Sequence, residues 1–236
     1  DSIHFYYMDS LFEKINILSN SKIITERFTK SDSLGMLYPV NDTIQGQNIN
    51  IIFNAEEKIK NFIVKGMAET KFNIIKNEIF KGKNNISGDT INVKFHENQM
   101  QSIDVKGGAQ CSFIPETDNI EIDSTVYYYG EHIYYDINNE ISYLTENAKV
   151  VFGLTQLEAG KIIANWENNI LEANSYKETL PRVITPTNQT PMYGSSMIFN
   201  LATNQGKIID GYSELKMGIF SGRGNQEIFQ DSNEEV

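Results

Sequence analysis

The sequence of 236 residues predicts an all-β fold of stacked antiparallel strands, and three observations carry that prediction. Four blocks follow a glycine with apolar residues at the third, fifth and seventh positions: Gly46-QNINIIF, Gly88-DTINVKF, Gly130-EHIYYDI and Gly194-SSMIFNL. Alternation with a period of two is the mark of a strand with one buried and one wet face. The first three glycines stand 42 residues apart and the fourth comes 64 later, the spacing of a chain built by stacking similar units. Aromatic residues make up 11% of the chain, a content that favours strands.

The elements follow in order. Ile3, Phe5 and Tyr7 alternate, Asp9-Ser10 reads as a turn, and Ile15, Ile17 and Ile23 resume the pattern, so the first forty residues hold a worn copy of the unit. In the next two units Ile49, Ile51 and Phe53 match Ile91, Val93 and Phe95; after a polar turn Phe62 and Val64 match Ile103 and Val105. Gly66 and Ala68 then match Gly107 and Ala109, so each unit reads strand, polar turn, strand, glycine kink, strand. The third unit carries Ile133, Tyr135 and Ile137, the turn Asn138-Asn139-Glu140, then Ile141 and Tyr143; Asn suits such turns because it tolerates positive φ. Residues 159–173 also fit an amphipathic helix, but two strands, Lys161–Trp166 and Ile170–Asn174 joined at Asn168-Asn169, keep the register of their neighbours. Residues 176–193, with Pro181, Pro186 and Pro191, read as a loop or exposed crossover. The last unit holds Met197, Phe199, Leu201 and Ile208; a single domain over 1–225 is expected, with units beginning near 1, 46, 88, 130 and 194 and an acidic, disordered tail at 226–236.

Charge and chemistry narrow the function. A net charge of −11 argues against nucleic acid, whose binders need a cationic surface. The charge is uneven: residues 55–94 hold eight Lys against five acids, and 116–178 hold three Lys against twelve acids. The lone Cys111 cannot form an intrachain disulfide and reads as a small buried hydrophobe. His4, His96 and His132 are scattered and show no shared metal site, Glu121 and Asp123 read as a wet strand face, and Gly222-Arg-Gly224 is too short for a phosphate loop. No catalytic set, metal site or cofactor is expected, so the chain reads as a non-enzyme. No run of 18 apolar residues is present to span a bilayer as a helix. The chain starts at Asp1 without a signal peptide, which reads as a processed or excised piece.

A stack of one-sided strands must hide its apolar face by closing into a barrel, pairing with a second sheet or folding over on itself. At this point the residues resemble a family. G-D-T-I-N-V-K-F…I-D-V-K-G-G-A-Q at 88–110, A-K-V-V-F-G-L-T-Q-L-E-A-G-K-I-I-A-N-W at 148–166 and M-I-F-N-L-A-T-N-Q-G-K-I-I-D-G at 197–211 are similar to the OstA-like (organic solvent tolerance) family. That family comprises the periplasmic β-jellyrolls of Gram-negative lipopolysaccharide transport, both stand-alone LptA-type bridges and the N-terminal domain of the LptD translocon subunit. The resemblance covers roughly residues 40–225. It implies an elongated antiparallel β-jellyroll, a periplasmic location, lipid A acyl chains carried inside, and edge-strand pairing with other jellyrolls or head-to-tail copies of itself. The interior residues expected to meet lipid are Ile49, Ile51, Phe53, Phe62, Ile91, Val93, Phe95, Ile103, Ile133, Tyr135, Ile137, Met197, Phe199 and Leu201, with the lysines of 58–94 nearer the headgroup. Without the resemblance, the same alternation reads as ordinary sheet packing. The rival function is a β-solenoid interaction or adhesion module without lipid cargo; a β-barrel hydrolase using Cys111 or Glu121 is a third class.

Overall fold

Seventeen strands, all in one sheet, make up most of the described residues of the computed structural model, which are 2–30, 37–76, 78–97, 99–116, 124–186, 190–215, 218–220 and 227–230. They are β1 (Ser2–Met8), β2 (Leu11–Lys30), β3 (Leu37–Phe53), β4 (Ile59–Lys76), β5 (Ile79–His96), β6 (Gln99–Pro115), β7 (Val126–Asp136), β8 (Ile141–Phe152), β9 (Thr155–Asn165), β10 (Ile170–Asn174), β11 (Arg182–Ile184), β12 (Met192–Tyr193), β13 (Ser196–Asn200), β14 (Gln205–Ile209), β15 (Tyr212–Leu215), β16 (Gly218–Phe220) and β17 (Glu227–Gln230). No helix occurs among the described residues, so 159–173 is the strand–turn–strand its neighbours' register implies. From β1 to β9 each strand pairs antiparallel with the next. Short turns set these pairings: Asp9 and Ser10 both hold positive φ, as does Glu140 at the β7–β8 turn, where Asp136 accepts hydrogen bonds from the Asn139 backbone and side chain.

Three of the four repeat glycines do not begin strands: Gly46, Gly88 and Gly130 sit inside β3, β5 and β7, of 17, 18 and 11 residues, while Gly194 lies between β12 and β13. Seven successive pairings shift register at corresponding points, from Leu18/Ser21 in β2 to Thr145/Ala148 in β8. Each shift is a bulge that bends its strand, and aligned across the sheet the bulges form one crease. On the β6 side of the crease Gly107 and Gly108 both take left-handed φ, +79° and +57°. On the facing strand a Cβ at Gly88 would stand 2.8 Å from Val105 Cγ1, so only glycine lets the two walls approach this closely.

The crease folds the sheet into two walls. One wall contains 48–53, 59–65, 90–96 and their neighbours; the other contains 37–45, 68–76, 79–87 and theirs. Beyond β9 the walls part. Residues 161–165 pair with β10 and continue through β13, β14 and β17, while 156–158 pair with β11 and continue through β12, β15 and β16. The stretch 176–193 is therefore not all loop. It contributes β11 and β12, and its prolines stand outside those two strands, where no ladder donor is needed. Strands of three and two residues are too short to show alternation in a sequence. Of the expected tail at 226–236, Glu227–Gln230 form β17 against β14 and the other residues lie outside the described ones, as do Glu121, Asp123, Gly222 and Gly224.

Candidate functional site

Register carries the alternation across the first wall in two rows, apolar except at Ser142. Nearest the crease, Ile3 pairs with Ile17, then Ile49, Val64, Ile91, Val105, Ile133, Leu144, Ile162, Ala173, Met197 and Ile208 in turn. One step outward runs Phe5, Ile15, Ile51, Phe62, Val93, Ile103, Tyr135, Ser142, Ala164, Leu171 and Phe199. The second wall answers with Ile23, Ile44, Thr70, Ile86, Cys111, Tyr128, Val150, Leu157, Val183 and Met192. Side chains that pair across strands in this way share one face of the sheet. Both inner faces pack into one core cluster, so the fold holds an apolar slot between its walls.

Burial in the slot falls along two directions. Away from the crease, Ile91 is 0% exposed and Val93 2%, while Phe95 is only half-buried; Ile133 gives way in the same manner to Tyr135 and Ile137. Toward the N-terminal end, Ile49 is sealed, Ile17 is half-buried and Ile3 is 56% exposed, with Phe5 at 53%. The slot is thus shut at the crease and opens along its rim and at β1.

The fourteen residues expected inside all belong to the first wall, and the structure sorts them by these directions. Ile49, Phe62, Ile91, Val93, Ile103, Ile133, Met197, Phe199 and Leu201 are buried core. Ile51, Phe95, Tyr135 and Ile137 pack against that core while half-buried; Phe53, also half-buried, meets Phe12. The second wall was missed by sequence reasoning, although a signal exists: Ile44, Ile86, Tyr128 and Met192 each stand two residues before a repeat glycine.

Two polar groups between the walls have partners. Tyr128 of the second wall packs on Trp166 of the first, with ring centroids 5.3 Å apart. The Trp166 indole donates to Ser142 Oγ at 2.7 Å, and the Tyr128 hydroxyl donates to Asn84 Oδ1 at 2.8 Å. Burial pushes the Tyr128 hydroxyl well above its usual pKa, and burial followed by the charges of Glu140 and Asp136 pushes Tyr135 up to about 12. Cys111 is buried and its thiol is likewise held far above the ordinary range by burial, with the Tyr128 hydroxyl acting the other way, so it stays protonated and unreactive. His132 contacts Asp104 on the outer face, apart from His4 and His96. Among the described residues no group of His, Cys, Asp and Glu could hold a metal ion.

One local break interrupts the second wall. Pairing of β3 with β4 stops at Thr43–Lys71, while β2 and β3 stay paired out to Lys30–Leu37. Side chains take over where the ladder ends. Asp42 Oδ1 accepts from the Asn73 backbone N–H at 2.8 Å, and Arg27 ion-pairs with Asp42 Oδ2 at 2.7 Å while donating to Asn73 O at 2.7 Å.

Residues 76–170, which span β5 to the start of β10, match the model of the LptA/(LptD N-terminal domain) LPS transport protein family. None of the curated proteins matches the chain. A solved structure similar to it is LptH, described as the LptA homologous periplasmic component of the lipopolysaccharide transport device from Pseudomonas aeruginosa; it is 17% identical, with 58% of this chain and 84% of that one covered and a TM-score of 0.45. The segment 76–170, five creased strands with both walls of the slot, is thus the part of the chain that resembles the LptA/LptD N-terminal domain family of lipopolysaccharide transport proteins, and its fold is a long antiparallel sheet folded into two walls.

Proposed function

We propose that this chain carries the acyl chains of lipopolysaccharide through the periplasm, held in the slot between its two walls, and that it is not an enzyme. The observation that supports this most is the graded burial of the inward rows. Side chains close to the crease seal the fold, and those of the rim and of β1 leave apolar surface for hydrocarbon. Sheltering one twelve-carbon chain is worth on the order of 10 kcal/mol, at about 0.8 kcal/mol for each methylene. That gain needs no specific chemistry, only a trough with its polar groups paired. The family match adds the cargo class. Of the fourteen interior residues, Ile51, Phe53, Phe95, Tyr135 and Ile137 are assigned to lipid contact, and the buried nine hold the walls together. In this reading the edge strand β1 accepts the sheet of another jellyroll, of a partner protein or of a second copy, because only β2 pairs with it among the described residues.

Photocrosslinking tests the assignment. With benzoylphenylalanine at Phe53, Phe95 or Tyr135, lipopolysaccharide is captured; at Phe199, which is 1% exposed, it is not. Absence of capture at every rim position overturns the carrier reading and leaves the lipid-free interaction module. Equal capture at Phe199 overturns the division between sealing and lipid-facing residues.

A further inference from the structure

The break between β3 and β4 is more than an irregularity of pairing. Where the two strands part, the second wall contains a cavity of about 660 Å³, inside the range of about 300–1,000 Å³ typical of small-ligand sites. Its lining draws on both faces of the wall. Val40, Phe72 and Phe80 come from the inward alternation, and each keeps 8–9% exposure where most of the core keeps less. Lys71 and Lys83 come from the outward alternation, on the neighbouring strands β4 and β5, and both are exposed. One end of the cavity is therefore aromatic and aliphatic, and the other carries two ammonium groups, that of Lys71 shared with the Glu69 carboxylate beside it at 3.0 Å, with Glu116 as the one acidic residue of the lining.

The break is also built to persist. Asp42 and Arg27 satisfy the backbone N–H and C=O of Asn73, and the Asn73 side chain donates to the Asn41 carbonyl at 3.0 Å, so these backbone groups keep partners where the ladder stops. A hydrogen-bonded gap of this kind is a formed site, not a defect.

We propose that this cavity binds one alkyl chain of an anionic amphiphile, its tail on Val40, Phe72 and Phe80 and its phosphate-type head on Lys71 and Lys83, as a site separate from the slot rim. The volume has room for a single chain, and two ammonium groups on adjacent strands suit one dianionic head. The same phosphate chemistry could arrive as free phosphate, so the test separates the tail from the head.

The experiment is calorimetric titration of the full chain with dodecyl phosphate below its micelle concentration. Saturable one-to-one binding is expected, weakened at least tenfold in the double variant Lys71→Gln, Lys83→Gln. Dodecyl maltoside binds at least tenfold more weakly, and inorganic phosphate does not compete. Both lysines are exposed, so the variant keeps its fold, which circular dichroism checks. A diazirine-bearing alkyl phosphate then labels the stretch 38–41. Unchanged affinity in the double variant, equal affinity for the maltoside or displacement by inorganic phosphate overturns the proposal. Labelling confined to the rim around Phe95 overturns it as well and leaves the carrier reading standing; the converse pattern, labelling at 38–41 without lipopolysaccharide capture at any rim position, overturns only the carrier reading.

Discussion

Strand β5 offers two inward positions on one wall that should separate sealing from lipid contact, Ile91 beside the crease and Phe95 at the rim. Ile91→Ala removes three carbons from a fully buried site, about 2.4 kcal/mol of transfer free energy at roughly 0.8 kcal/mol each. Neighbours on both walls hold the space open, so a cavity term raises the cost to about 3–4 kcal/mol. Phe95→Ala removes a larger side chain from a half-buried site. It loses the edge-on contact with Phe62, whose centroid lies 5.1 Å away at 90°, worth about 0.5–1.5 kcal/mol, and roughly 1 kcal/mol of burial. The difference of about 1–2 kcal/mol moves a urea midpoint by roughly 0.5–1 M. The second measurement is lipopolysaccharide capture by a benzoylphenylalanine probe at Tyr135 in each background. Phe95→Ala should lower capture severalfold at a small cost in stability, and Ile91→Ala should lower stability while capture by the folded fraction persists. If Phe95→Ala is the more destabilising change, or if the two variants reduce capture alike, the inference from graded burial to lipid contact is wrong.

Other consequences are equally direct. Gly160→Ala places a Cβ 2.4 Å from the Tyr176 carbonyl oxygen, a backbone atom that cannot swing aside, so it should destabilise by more than about 2 kcal/mol; Gly108→Ala meets nothing within 4 Å and should cost only the left-handed strain, about 1–2 kcal/mol, in the same urea titration. Asp42→Ala leaves the Asn73 N–H and Arg27 Nε without that acceptor and should cost about 1–3 kcal/mol, whereas Asp42→Asn keeps an acceptor and should cost less. Alkali should unfold the chain through its tyrosines. Burial raises Tyr135 to about 12 and holds Tyr128 well above its usual value, so their contribution is complete below the unfolded value near 10 and is lost as pH climbs from there through the raised values. Tyrosinate absorbance should therefore rise in two stages, the second coinciding with loss of the β-sheet dichroism. Cys111 should resist thiol reagents in the folded chain and react only in denaturant.

The sequence reveals the strands because their period of two is unmixed, and it reveals the turns because Asp9-Ser10 and Asn138-Asn139-Glu140 are residues that accept positive φ. It also reveals the kink at Gly66 and Gly107. What it conceals is that Gly46 and Gly88 lie on the same crease: those two adopt no unusual φ and are required by the approach of Val64 and Val105, side chains about 18 residues away in sequence. Taking Gly46 as the beginning of a unit hides the half-strand before it, which is why Ile44, Ile86 and Tyr128 escaped the list of interior residues while every residue chosen fell on one wall. The break at Asp42–Asn73 was hidden for a related reason. A strand that leaves its neighbour keeps its own alternation, so nothing in the run Tyr38 to Gln45 announces the gap.

The direction of the slot follows from how its sealing is distributed, not from any single residue. At the β10–β14 end Leu171, Met197, Phe199, Leu201 and Ile208 are all at most 1% exposed, and Tyr128 on Trp166 joins the walls partway along. At the β1 end the same rows carry Ile3 and Phe5 with more than half their surface in water, and Ile15 and Ile17 only half-covered. Burying those exposed side chains is favourable at about 25 cal/mol per Å², so whatever covers them, hydrocarbon or the sheet of another jellyroll, is drawn to that end first. Cargo and partner thus compete for, or share, one apolar surface. Because Ile3 pairs directly with Ile17 and onward into the sealed row, a partner strand laid against β1 in register would lengthen the slot instead of closing it. Replacing Ile3 and Phe5 with Asp leaves the sealed core untouched, so it should abolish both self-association in sedimentation and lipid transfer to a second copy, while capture at Phe95 continues. Loss of capture at Phe95 in that variant would show that the rim does not load independently of the β1 end.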